Sequence, residues 1–354
     1  MTRRKFMKIC LAIAGLTALG GRNSRSWAGG MFDRSDTPGG AAVPQGRNVP
    51  VPHNGYIPRY LDLEASGELE RRERILWAKM ESCDLCPRRC HVNRMAGRAG
   101  ACRVSDTFRV ASFGPHFGNE RALIGSHGTG NIFFSNCNLL CVFCQNWEIA
   151  HRGDGRETTH AALANIMLSL QQRGCHNINF VTPTHLIPHL ISALRLAITG
   201  GLNIPLLYNT SGYEMLEVIR LLDGVVDIYL PDFKFMDSNI AKRFLQGAPD
   251  YAGYTAAAIK EMHRQVGTLN ISGGIAKRGL LVRHLVLPEN TAGTDRFVRW
   301  VASELGTETH VNIMDQFWPA FQARNFPPLH RRLTHTEFNQ AKRWAQEAGL
   351  RNFH

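Results

Sequence analysis

The sequence predicts an α/β fold: six βα units forming a curved, open partial barrel, preceded by a helical extension with a four-cysteine metal-binding element. Three observations carry the prediction. Short apolar runs, NIFFS (131–135), NINFV (177–181), IPLLY (204–208), VVDIYL (225–230), LLVRHLVL (280–287) and HVNIM (310–314), alternate with segments whose apolar residues recur every three or four positions. Such alternation implies parallel strands joined by right-handed crossovers. Several runs are apolar on both faces, as strands of a sheet covered on both sides must be. Six units also fall short of the eight that close a barrel, so the sheet stays open, with its chemistry at the carboxyl ends of the strands.

The 354 residues suffice for one large domain with an appendage or two modest ones, and a composition of 44% hydrophobic and 20% charged residues excludes a disordered or fibrous chain. Net charge is +12, but Arg3, Arg4, Lys5, Lys8, Arg22 and Arg25 stand in residues 1–28 without an acid, which leaves +6 for the rest. That mild surplus is read as a solvated surface, and nucleic acid is not an expected partner.

Along the chain, residues 1–28 read as a targeting signal. Paired arginines in TRRKFMK precede ICLAIAGLTALGG, which is too short to span a bilayer, and SWA (26–28) sets small residues at a cleavage spacing. The pattern resembles a twin-arginine export signal; an uncleaved amphipathic start is the alternative. No membrane span is expected in the mature chain. Residues 29–58, rich in Gly, Pro, Ser and Asn, read as a linker. Residues 59–106 open with YLDLEASGELERRERILWAKM (60–80), two helices parted at Ser66-Gly67, since glycine is unfavourable inside a helix. The βα array occupies 107–325. Its helices are read in 161–172, 186–197, 213–222, 239–246, 255–266 and 295–305. Residues 326–354 hold a last helix with a capping box at Thr334 and Glu337 and an end at Gly349.

The nine cysteines are Cys10, Cys83, Cys86, Cys90, Cys102, Cys137, Cys141, Cys144 and Cys175. Seven fall in two tight clusters, and clustered thiols grip metal rather than staple distant loops. Cys10 is read as passive and Cys175 as a small buried residue. CNLLCVFC directly follows NIFFS, which puts Cys137, Cys141 and Cys144 on the loop at the carboxyl end of the first strand. Three thiolates can hold three irons of a four-iron cubane and leave the fourth iron a position for an exchangeable ligand. A catalyst has a use for that position and an electron carrier has none. A zinc site completed by His151 or His127 is the alternative.

C-x3-C-x2-C in this position resembles the radical S-adenosylmethionine (SAM) superfamily, and CNLLCVFCQNW resembles its branch related to pyruvate formate-lyase activating enzymes. The resemblance spans roughly residues 107–325 and implies a partial (βα)6 radical SAM barrel. It implies a 4Fe-4S cluster on Cys137, Cys141 and Cys144, with the methionyl amine and carboxylate of S-adenosyl-L-methionine on the open iron. One electron, from a donor such as flavodoxin or ferredoxin, would then release a 5′-deoxyadenosyl radical that takes hydrogen from the substrate. Phe143 would lie against adenine, a core aromatic being the alternative. Thr182 and Thr184, in TPTH, would replace a Gly-Gly-Glu-like element that this chain lacks. Asn209, Thr210 and Ser211 would reach the ribose or carboxylate, with simple turn chemistry as the alternative. Asp232 and Lys234, in PDFKF, match the D-x-K element of the activating enzymes, and Arg283 is similar to an arginine near the methionyl carboxylate. These three are the expected catalytic residues, surface ion pairs being the alternative. Met314, Asp315 and Gln316 are expected to face substrate, and His185 and His284 to be ordinary hydrogen-bonded residues.

Cys83, Cys86, Cys90 and Cys102 are spaced C-x2-C-x3-C-x11-C, at which four thiolates hold zinc or an iron–sulfur cluster. CxLCPRxCxVNR…GxxGxC resembles a largely uncharacterised group related to the activating enzymes. The site is read as closed: structural if zinc, an electron relay if iron–sulfur, with Gly97 and Gly100 favouring the structural role. Arg88, Arg89, Arg94 and Arg98 make the region basic, either a docking face for a protein or a solvated one.

The expected function is that of a radical SAM oxidoreductase similar to pyruvate formate-lyase activating enzymes, abstracting hydrogen from a glycine of a protein substrate. Modification of a small molecule or RNA is one alternative, and an exported two-cluster electron-transfer protein is another. The start of the chain points to the periplasm, whereas use of SAM points to the cytoplasm.

Overall fold

The structure, a computed structural model, describes residues 55–353. The signal, Cys10 and most of the linker lie outside the described residues. Tyr56, at the linker's end, donates its hydroxyl to buried Asp227 at 2.6 Å. Two helices follow, α1 (Tyr60–Ala65) and α2 (Glu68–Ala78), parted at Ser66-Gly67 as expected.

All six expected strands form, as β2 (Thr129–Phe134), β4 (Ile178–Val181), β5 (Leu206–Thr210), β6 (Ile228–Pro231), β8 (Ile275–Leu285) and β9 (His310–Met314). They pair in that order and all in parallel. Three further strands were not anticipated: β1 (Phe108–His116), β3 (Arg156–Thr158) and β7 (Asn270–Ser272). β1 runs antiparallel to β2 and carries β3 on its far side, while β7 folds back on β8 as a hairpin. Pro115 hides β1 in the sequence, because proline argues against a central strand. β3 pairs only with Phe108–Val110, so at Pro115 the outer side of β1 is an edge and no ladder hydrogen bond is forfeited.

Between the strands run α3 (Arg121–Ile124), α4 (His160–Gln172), α5 (Ile187–Thr199), α6 (Leu216–Leu221), α7 (Ser238–Phe244), α8 (Tyr251–Val266) and α9 (Thr294–Glu304), with α10 (His335–Glu347) last. Local chemistry starts several of them. Thr159 caps α4 through the Ala162 N–H, Asp237 caps α7 through Asn239 and Ile240, and α10 has the full Thr334–Glu337 capping box. α4 packs on β1, β2 and β4, and α8 on β6 and β8. Among the described residues no helix is long and apolar enough to cross a membrane.

A second, smaller core gathers Leu207, Ile228, Leu230 and Leu281 with Leu123 of α3 and Leu269. Strand alternation puts Asn209, Asp232 and Arg283 on the same faces, two residues further toward the carboxyl ends. The sheet thus changes from apolar to polar along its strands, and the polar end opens into a cavity.

Candidate active site

The cavity, about 280 Å³, lies at the carboxyl ends of the parallel strands. Cys137, Cys141 and Cys144 all line it, as do Phe143, Thr182, Asn209, Ser211, Asp232, Lys234 and Arg283. The cysteine loop is held by its backbone. Asn136 donates to the Ile149 carbonyl at 3.0 Å and Val142 to that of Phe244 at 2.9 Å, while the Val142 carbonyl accepts from Gln322 at 3.0 Å. Asn136 and Leu140 both have positive φ, 70° and 57°, which turns the chain tightly within the loop that carries the three thiols.

The thiols are free; Cys137 and Cys141 are buried and Cys144 is half-buried. Burial raises the pKa of the Cys141 thiol above its ordinary value and takes that of Cys144 to about 11, with the other sulfurs adding to the shift. Buried thiolates therefore need a compensating cationic centre, which iron supplies. The Leu139 N–H already points at Cys137 Sγ, 3.3 Å away. Among the described residues no three His, Cys, Asp or Glu side chains close on one point as they would around a single ion. A four-iron cluster makes a different demand, since each thiolate takes its own iron. His151 is engaged by the Cys141 carbonyl oxygen at 3.0 Å, and His127 lies with Ser126 and His176 beside a separate cavity. Neither lines the cysteine cavity.

Asp232, Lys234 and Arg283 line the same cavity, each held in a charged pair. Lys234 Nζ lies 2.5 Å from Asp232 Oδ2. Burial alone would lower the ammonium pKa, but Asp232 and the Cys141 sulfur outweigh it and the net shift is upward. Arg283 forms a two-pronged contact with Glu120, at 2.7 and 2.8 Å, and Asn312 donates to the same carboxylate at 2.7 Å. Arg283 lines the cavity, and one of its terminal nitrogens is not used by Glu120. The fork expected to meet a substrate carboxylate holds one belonging to the chain itself, because a guanidinium this buried needs a counter-charge in the fold. Glu120 was not anticipated; its partners lie 163 and 192 residues away.

Ser211 Oγ is buried and has no partner among the described residues, which leaves it available at the cavity wall. Thr182 adopts φ 60° at the end of β4 and also lines the wall. Thr184 does not. It is fully buried and donates to Glu214 at 2.6 Å, so the structure withdraws it from the predicted cofactor contacts. Thr210 also donates to Glu214. Met314 and Gln316 line the cavity, and Asp315 is absent from its wall. Phe143 lines it while meeting Phe235 and Phe317 edge-on, so it serves the core and the cavity together. His185 and His284 are hydrogen-bonded as expected, to the Ser135 carbonyl and to the Phe233 carbonyl with Thr294. Asn131 and Asn179 pair side by side on β2 and β4, with Asn179 Nδ2 donating to Asn131 Oδ1 at 2.7 Å. Of the two, only Asn131 lines the cavity, and an asparagine in each of two apolar strand runs was the available signal for the pair.

The model of the radical SAM superfamily matches residues 131–276. A protein of Methanocaldococcus jannaschii described as uncharacterised is 33% identical over 279 residues, which cover 76% of each chain. A solved structure of TYW1 with a lysine-pyruvate adduct bound aligns with a TM-score of 0.38 and 10% identity, over 61% of this chain and 73% of that one. The chain belongs to the radical SAM superfamily, whose members hold a 4Fe-4S cluster and SAM.

Proposed function

We propose that this chain is an enzyme that cleaves SAM reductively and abstracts hydrogen from a substrate, a glycine of a protein being the foremost candidate. One observation carries the reading: three thiols on the loop after β2 open onto the same cavity as Asn209, Ser211, Asp232 and Lys234. Cys137, Cys141 and Cys144 would hold the 4Fe-4S cluster. When bound with SAM, that cluster supplies one-electron cleavage of the sulfonium and the hydrogen-abstracting radical. The rest is positioning. Ser211 Oγ and the Asn209 amide offer polar contacts to a nucleoside or amino-acid group. Phe143, Leu139 and Leu285 give an apolar wall that excludes water from a reactive intermediate. The Asp232–Lys234 pair keeps an ammonium beside Cys141 with little net charge added to the cavity.

A room of this size beside the thiols supports an enzyme over an electron carrier, which would have no use for it. The glycine target is supported by the likeness of CNLLCVFCQNW and of Asp232-x-Lys234 to the activating enzymes. Cys83, Cys86, Cys90 and Cys102 support a second metal, zinc or iron–sulfur, by donor chemistry and spacing alone, since among the described residues they do not close on one point as they would around a single zinc ion.

The test is anaerobic reconstitution with iron and sulfide, reduction with dithionite and assay of 5′-deoxyadenosine. Wild type is expected to form it, and the variant with Cys137, Cys141 and Cys144 all changed to Ala to form none. Equal yields from both would refute the assignment. Deuterium carried from a glycine-deuterated protein into 5′-deoxyadenosine would identify the target, and its absence alongside active SAM cleavage would direct the search to small molecules or RNA.

A further inference from the structure

The arginines around the first cysteine group divide into two kinds. Arg89 and Arg98 are exposed, whereas Arg94 is fully buried and Arg88 turns inward. The docking or solvated face expected of all four is therefore corrected for two of them. Arg88 leaves the chain between Cys86 and Cys90, and its guanidinium donates to four main-chain carbonyls. Nε meets Asn138 at 2.9 Å, one terminal nitrogen meets Leu139 at 3.2 Å and Leu245 at 2.9 Å, and the other meets Gln246 at 2.8 Å. Asn138 and Leu139 lie between Cys137 and Cys141. Leu245 and Gln246 follow Phe244, whose carbonyl receives the Val142 N–H of the same cysteine loop. The guanidinium also lies 5.9 Å over the Tyr213 ring, and Asn138 Nδ2 donates to the Tyr213 carbonyl at 2.9 Å. A single side chain thus ties the loop between the thiols to the segment after α7.

The four-cysteine turn determines where Arg88 starts. Cys83 exchanges backbone hydrogen bonds with Val92 and His91, and Arg89 N–H closes on the Cys86 carbonyl. Ala101 N–H donates to Cys90 Sγ at 3.2 Å, and a Cβ on Gly100 would stand 3.0 Å from that sulfur, so the two halves of the turn approach closely. A guanidinium suits the span, since it carries several donors in a rigid plane and stays charged. A lysine could meet fewer of the four carbonyls at once.

We propose that Arg88 is a positioning residue that couples the four-cysteine turn to the Cys137–Cys144 loop, so that an intact first turn holds the second loop ready for its cluster. The cluster on that loop rests on the function proposed above; the mechanical coupling does not. The test uses the full chain as wild type, Arg88→Gln, Arg88→Lys and Cys90→Ser, with exposed Arg89→Gln as the control. Hydrogen–deuterium exchange is followed in the peptide spanning 137–144 without iron, and after reconstitution the electron paramagnetic resonance spectrum of the reduced cluster is recorded before and after SAM is added.

Loss of the four charge-assisted hydrogen bonds is expected to speed exchange in 137–144 by about tenfold or more in Arg88→Gln. Arg88→Lys should fall between Arg88→Gln and wild type. Cys90→Ser should also loosen that peptide, Arg89→Gln should match wild type, and the SAM-induced spectral change should weaken in Arg88→Gln. Should Arg88→Gln fail to fold, the same faster exchange is required of Arg88→Lys. Unchanged exchange in the Arg88 variants overturns the proposal, and unchanged exchange in Cys90→Ser overturns its link to the turn. If wild type binds iron but never cleaves SAM while the Arg88 variants still loosen the loop, the proposed function fails and the coupling stands.

Discussion

Glu120 and Arg283 show how one contact can shape a reaction chamber. The side chains are 6% and 15% exposed, so each charge has been taken out of water and relies on the other. A buried pair of this kind adds little net stability over an apolar pair of equal volume, but removing one partner leaves an uncompensated charge. Glu120→Ala is therefore expected to cost about 3–5 kcal/mol of unfolding free energy, read by denaturant titration of the iron-free protein. Glu120→Gln keeps the shape and one acceptor, so it should lie between Glu120→Ala and wild type. A loss under about 1 kcal/mol in Glu120→Ala would show that water reaches Arg283 and that the pair is in effect a surface contact.

At the scale of elements, the site depends on where β6 ends. Gly212, in the turn after β5, has φ 79°, and a Cβ there would lie 2.5 Å from the Asp232 carbonyl and 2.7 Å from Thr255 Cγ2. Both the backbone angle and the space select glycine. Gly212→Ala must move the strand end that carries Asp232 and Lys234. It is expected to cost about 1–3 kcal/mol in stability and to reduce 5′-deoxyadenosine formation. Wild-type stability together with wild-type yield would contradict that reading. The first helices are fixed by comparable contacts: Arg195 of α5 pairs with Glu64 and Glu73, and Arg72 of α2 donates to the Leu221 and Asp223 carbonyls. The N-terminal extension is thereby joined to the barrel by hydrogen bonds as well as by packing.

For the molecule as a whole, two fully buried carboxyls set a pH dependence. Burial takes Glu214 from 4.5 and Asp227 from 3.8 to about 7, opposed by hydroxyl donors at Glu214 and by Tyr56 and a backbone N–H at Asp227. At these two groups the folded chain therefore binds more protons than the unfolded chain between those lower values and 7, so their contribution to the slope of stability with pH is negative there. The favourable contribution is complete below the unfolded values and is lost as pH rises through about 7. Buried His185, His189 and His284, whose pKa values burial lowers from 6.5, contribute the opposite slope below that value, so the carboxyl contribution is read as a difference: the unfolding free energy of wild type minus that of Glu214→Gln or of Asp227→Asn should fall from pH 5 to 8. Identical slopes in wild type and both variants would show that neither carboxyl holds its proton in the folded state.

The amino-acid pattern alone determined the six parallel strands, the break at Ser66-Gly67, the capping box at Thr334 and the placing of Cys137, Cys141 and Cys144 after the first of those strands. Each is a local property: periodicity, a conformational preference, or spacing along a few residues. It also placed Asp232 and Lys234 on one wall, because alternation carries over two positions. Only the tertiary structure decided that Arg283 belongs to Glu120, that Thr184 serves Glu214 rather than the cavity, that β1 joins the sheet despite Pro115, and that Arg88 reaches into the second cysteine loop. Each of these depends on a partner strand, a hydrogen-bond acceptor or a counter-charge supplied by another segment of the folded chain, which no local pattern records.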